Sequence, residues 1–177
     1  MESALPTIGI QADDPEDIVQ MVGFVIAEEY FGVDILMVRE IIKDAAITAI
    51  PDAPEFIEGV INLRGSIIPI IDLQKRLKLT EGVDRKDKEV WILILDIGGR
   101  ITGFIVDRVT RVIKVQASMI KPPPEIVVSG LNSDYIRGVC KQDQQLLAIL
   151  DFNRILLIDE FKKLSAARKQ KTTAAIA

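Results

Sequence analysis

Side chains able to do chemistry are few in this 177-residue chain, and of restricted kinds. There is no histidine and one cysteine, Cys140, which excludes Ser-His-Asp and Cys-His catalysis, imidazole proton shuttling and histidine phosphotransfer. Structural zinc would need those same ligands, so any metal site would have to be built from carboxylates. Asp72 and Asp151 are the carboxylates that stand out, but each opens a short helical pattern at matching places of an internal repeat. That makes them N-caps rather than a metal pair or an acid–base dyad. Cys140 stands where the first repeat has Ile61 and reads as a small buried hydrophobe. The remaining candidate is Arg64, in Asn62-Leu63-Arg64-Gly65, which is either a solvated charge or an ordered, paired arginine shaping a binding surface. With no Gly-rich phosphate loop and no base tuned near neutrality, the expectation is no catalytic residue, no metal and no cofactor.

Composition narrows the partners. The chain is 49% hydrophobic, 5% aromatic and 27% charged, with a net charge of −4. An acidic balance with sparse aromatics and no basic stripe argues against nucleic acid. Residues 1–17 carry five carboxylates and no Lys or Arg, unlike a secretory signal, and the apolar runs are too short for a membrane span. A soluble cytoplasmic chain without membrane insertion is expected, and one cysteine suits a reducing compartment.

The elements that must position Arg64 are mostly strands. The 28 isoleucines fall in short runs that fit pleated surfaces. Strands are expected near Gln20–Ala27, Phe31–Val33, Glu40–Ile50, Val60–Leu63 and Ser66–Ile71. A second set follows near Val90–Ile97, Ile101–Val106, Arg111–Val115, Tyr135–Cys140 and Leu146–Leu150. Hairpin turns are expected at Glu28–Tyr30 and Asp96–Arg100, and helical turns at Asp34–Val38 and Asp72–Leu77. Short strands at this spacing favour barrels over a doubly wound sheet.

The two sets are copies. Phe56–Leu77 aligns on Tyr135–Leu156 at an offset of 79 with six of 22 positions identical, among them Gly59/Gly138 and Asp72/Asp151. Upstream, Gly32–Pro51 aligns on Gly103–Pro122 at an offset of 71, anchored by Val38/Val109 and Ile42/Ile113. Each half alone would be marginal, so two five-stranded units are expected to bury their open faces on one another, leaving a groove between them. Subdomain one is placed at about 20–80 and subdomain two at about 88–157, with ends open to exchange. A mixed-charge connector at Val83–Glu89 joins them. Residues 1–18 are expected to be an acidic, flexible segment, Ile155–Leu164 a helix, and 161–177 its end and a basic tail.

Two segments resemble a known family. Tyr30-Phe31-Gly32-Val33-Asp34-Ile35-Leu36-Met37-Val38-Arg39-Glu40-Ile41 and Pro54-Glu55-Phe56-Ile57-Glu58-Gly59-Val60-Ile61-Asn62-Leu63-Arg64-Gly65 are similar to signatures of the CheW family of chemotaxis coupling proteins. Ile68–Leu73, Gly103–Val109 and Tyr135–Gly138 extend the match over about residues 20–160. The resemblance implies an all-β fold of two SH3-like five-stranded barrels with short helices and a C-terminal helix. It also implies an adaptor without catalysis, joining the cytoplasmic tip of methyl-accepting chemoreceptors to the regulatory domain of the histidine kinase CheA in membrane-associated arrays. A coupler of a non-flagellar chemosensory pathway has the same features; a small enzyme built on carboxylates and Arg64 is the alternative of another class.

By that resemblance the partner-binding candidates are Val38, Glu40, Gly59, Asn62, Leu63, Arg64, Ile101 and Val109. Glu40 and Arg64 are expected to form a charge-assisted pair fixing a groove wall. Val38 is a contact or a core valine. Gly59, matched by Gly138, is first a backbone requirement, and Asn62 a turn former. Ile101 and Val109 are placed on the opposite wall of the groove, or in the core.

Overall fold

The computed structural model describes residues 17–79, 89–123 and 133–156. The ten strands there are β1 (Ile18–Ile26), β2 (Glu29–Asp34), β3 (Val38–Lys43), β4 (Ile57–Leu63), β5 (Ser66–Asp72), β6 (Trp91–Ile97), β7 (Arg100–Val106), β8 (Arg108–Gln116), β9 (Ile136–Gln142) and β10 (Gln145–Leu150). Two short helices, α1 (Leu73–Arg76) and α2 (Phe152–Ile155), follow β5 and β10. Asp72 caps α1 by accepting from the N–H groups of Gln74 and Lys75, and Asp151 does the same for Asn153 and Arg154. Both carboxylates therefore answer helix N-terminal donors that would otherwise lack partners.

The strands form two five-stranded sheets, ordered β3-β6-β7-β5-β4 and β8-β1-β2-β10-β9. Under the repeat relationship these orders are the same, strand for strand. They also show a reciprocal exchange: β6–β7 pair with β3–β5, while β1–β2 pair with β8–β10. The exchanged hairpins enter through equivalent parallel contacts, Ile70 beside Gly103 and Ile149 beside Gly32. A Cβ on Gly103 would stand 2.5 Å from the Ile70 Cδ1, so a side chain at this entry point would have to push that methyl aside.

Each sheet curls around its own small core. Ile61, Ile68, Ile70, Ile92, Ile94 and Ile105 fill the first barrel, and Met21, Ile113, Val115, Cys140, Leu147 and Ile149 the second. The opposite faces meet in a larger shared core containing Phe24, Phe31, Leu93, Leu95, Phe104 and Phe152. Strand β6 shows how one sequence serves both: Ile92 and Ile94 point into the barrel while Leu93 and Leu95 face the other barrel. That two-sided burial explains why the strand reads as a continuous apolar run.

The expected strand Glu40–Ile50 is shorter, ending at Lys43. Asp44 takes a left-handed φ of 53° and turns the chain away, after which Thr48 makes an isolated bridge to Val60 of β4. The segment thus closes the barrel seam instead of prolonging β3. A matching bridge, Lys121 to Val139, closes the second barrel. The acidic residues 1–16, connector residues 83–88, Pro124-Glu125 and the expected helix and tail beyond Leu156 lie outside the described residues.

Candidate functional site

Arg64 sits at the first of two turn residues joining β4 to β5, with Leu63 paired to Ser66. Arg64 and Gly65 have φ of 51° and 87°, the left-handed pair that such hairpins require. The Asn62 side chain accepts the Gly65 N–H at 2.9 Å, which makes it the turn former. Glycine suits the second position. Arginine at the first is disfavoured by about 1 kcal/mol relative to residues that tolerate this conformation.

What holds Arg64 there is Glu40 on β3. The guanidinium donates Nη1 to Oε2 and Nη2 to Oε1, both at 3.0 Å, in a bidentate pair. Since β3 and β4 are the two edge strands of the sheet, the pair spans the open seam of the barrel. Next to it, Arg39 donates to Asp96 at 2.7 Å, and this bond together with the Gly99 N–H holds the Asp96 carboxyl below its usual range. Beneath the two arginines lies an open depression of about 710 Å³, floored by Leu63, Ile68, Ile94 and Ile101 with Ile67 at its edge. Ile67 is 65% exposed, while the side chains of Arg64 and Arg39 are 76% and 63% exposed. The arrangement is a partly apolar depression rimmed by two arginine–carboxylate pairs, suited to receiving a protein surface.

The second barrel carries the same device with its charges exchanged. Arg111 and Asp143 occupy the positions equivalent to Glu40 and Arg64, and they are paired. Asp143 and Gln144 form the equivalent left-handed turn, with φ of 48° and 63°. Asp143, although exposed, is therefore a seam partner. Exposed Val112 and Leu146 are likewise the mates of exposed Ile41 and Ile67.

The structure brings Glu40, Leu63, Arg64 and Ile101 together at one barrel end. Ile101 is not on an opposite wall, as expected, because β7 is exchanged into the barrel that holds Arg64. Val38 and Val109 are half-buried and pack on the shared core between the barrels. Gly59 is buried, with a φ of 148°, and a Cβ there would lie 2.0 Å from the Thr48 carbonyl oxygen. Its requirement is the seam bridge. Sequence reasoning missed Arg39, Ile67, the Arg111–Asp143 pair and the buried Arg76. The repeat alignment held a signal for the last two of these, since it sets Glu40 against Arg111, Arg64 against Asp143 and Arg76 against Ile155.

Comparison with known proteins places these features. Residues 20–160 match the CheW-like domain family. The chain is 38% identical over 148 residues to the chemotaxis protein CheW of Treponema pallidum, covering 82% of this chain and 86% of that protein. It is 34% identical to the CheW of Helicobacter pylori, covering 85% and 89%. Among solved structures, the scaffolding protein TtCheW from Thermoanaerobacter tengcongensis superposes with a TM-score of 0.72 at 40% identity, covering 80% of this chain and 94% of that one.

Proposed function

The chain belongs to the CheW family of chemotaxis scaffold proteins, which are not enzymes, and on that premise we propose that it couples chemoreceptors to the histidine kinase CheA. The carrying observation is the clasped barrel end: a bidentate ion pair bridging two edge strands over an exposed, partly apolar depression. A seam bond alone would not call for arginine in a left-handed turn, where asparagine fits with less strain. Arg64 is thus kept against local preference, which points to a role outside the fold.

In this reading Glu40, Leu63, Arg64 and Ile101 receive the regulatory domain of the kinase. Exposed Ile67, with half-buried Leu63 and Ile101, supplies the apolar area to bury, and the arginines set register. In the same reading, the surface where the barrels meet, with half-buried Val38 and Val109 packed on the shared core, receives the helical tip of a chemoreceptor as an amphipathic hairpin. No helix among the described residues is long and apolar enough to cross a membrane, so the proposed place at the cytoplasmic face comes from the receptors. The test is kinase autophosphorylation in receptor-bearing membranes. Addition of this chain should raise the rate and make it respond to receptor ligand; no change at saturating protein would refute the coupling role.

A further inference from the structure

Arg76, the last residue of α1, is 5% exposed although charged. Its Nε donates to the carbonyl of Ile155 at 3.0 Å, and Nη1 donates to the Tyr135 hydroxyl at 2.7 Å. Its guanidinium carbon lies 5.1 Å from the Phe56 ring centre and 4.9 Å from that of Tyr135. Phe56 and Tyr135 are equivalent positions in the two repeats, and Ile155 is the equivalent of Arg76 itself. One guanidinium is therefore held between a residue and its own repeat mate, where the two repeats meet. Such a place can be filled once, which accounts for arginine in one repeat and isoleucine in the other.

We propose that Arg76 is a positioning residue that sets the relative orientation of the two barrels, and through it the surface they share. The shared core of Phe24, Phe31, Phe104 and Phe152 holds the barrels together, but apolar attraction has no direction and tolerates small sliding. The hydrogen bonds of Arg76 do have direction. They run from the helix after β5, in the first barrel, to groups flanking β9 and β10 in the second. A buried guanidinium must keep its partners, so any rotation that breaks either bond is costly. The planar fork engages carbonyl, hydroxyl and two rings at once, which a lysine ammonium cannot do. The functional half of this inference rests on the proposed reading of the surface where the barrels meet as the receptor site.

The experiment uses the full chain with Cys140→Ala, spin-labelled at the exposed mates through Ile67→Cys and Leu146→Cys, and reads the inter-label distance distribution. Arg76→Met should fold by circular dichroism yet shift or broaden that distribution, with Arg76→Lys intermediate. In unlabelled protein, Arg76→Met should weaken a receptor-tip fragment by about 2- to 30-fold, the range for residues that act at a distance, and leave the kinase regulatory domain within about twofold. A distribution unchanged in both variants overturns the proposal. Failure of both variants to fold also overturns it, by making Arg76 a residue of stability rather than orientation. If the distances move but receptor-tip affinity does not, the link from orientation to the shared surface is wrong. If the parent binds no receptor tip while the distances still move, the functional reading fails and the positioning role stands.

Discussion

Replacing Arg64 by glycine separates the two roles assigned to it, because stability and binding should respond differently. The clasp with Glu40 is bidentate, but the arginine side chain is 76% exposed and the glutamate 28%. A pair so open to water contributes no more than about 1 kcal/mol. Against that loss stands the φ of 51° at position 64, which glycine adopts freely and which costs arginine about 1 kcal/mol. The two terms nearly cancel, so Arg64→Gly should change stability by less than about 1 kcal/mol, or up to about 4 °C in Tm for a chain of this size. Binding has no such compensation. An arginine anchor at the centre of an interface is worth about 2 kcal/mol or more, so affinity for the kinase regulatory domain should fall about 30-fold. Thermal unfolding and calorimetric titration of the same preparation read both quantities. A Tm drop beyond about 8 °C would show that the clasp holds the fold, and unchanged affinity would remove Arg64 from the interface. The double variant Glu40→Arg with Arg64→Asp, which copies the polarity of Arg111–Asp143, should recover seam stability without recovering affinity; recovered affinity would show that the partner does not read the sign of the rim.

Gly59→Ala should cost more than about 2 kcal/mol in urea unfolding, since its Cβ would meet the Thr48 carbonyl at 2.0 Å, whereas Gly65→Ala, with open space around it, should cost about 1 kcal/mol from its positive φ alone. Equal costs would contradict the seam explanation of Gly59. Burial pushes the Cys140 thiol up, so native protein should resist a thiol reagent at pH 8 that labels it readily in urea; rapid native labelling would contradict that burial. Asp96 is held below its usual range by Arg39 and the Gly99 N–H, so its folded value lies below its unfolded one. Its stabilising effect is therefore present above about pH 4 and is lost as pH falls through the folded value. Asp96→Asn should be less stable than the parent at pH 7, and the two should converge in strong acid; a gap that persists there would mean the cost is not electrostatic.

The parts of the fold legible in the sequence are those written in local pattern. Alternation and β-branched runs mark the strands, and Asp72 and Asp151 mark the helix starts, because a cap is a matter of three or four neighbouring residues. The hairpin exchange is not local. Gly103 and Gly32 stand at the parallel contacts where the hairpins enter, yet nothing in either segment says which barrel it enters. Ile101 packs on the core of the barrel that holds Arg64 because of that exchange. The Glu40–Arg64 pair was legible through family resemblance, while Arg111–Asp143 required comparing the copies for opposite charge at equal positions. Nothing in Gln74-Lys75-Arg76 distinguishes Arg76 from a surface cation. Only three-dimensional neighbours from the other barrel make it buried.

The central claim is that this chain is a two-sided connector with no chemistry of its own, and calorimetric titration of the purified chain against a kinase regulatory domain and then a receptor-tip fragment tests it most directly. Saturable one-to-one binding to each, with the second partner still binding once the first is bound, is the predicted result. Binding to neither, or mutual exclusion of the two partners, would contradict it.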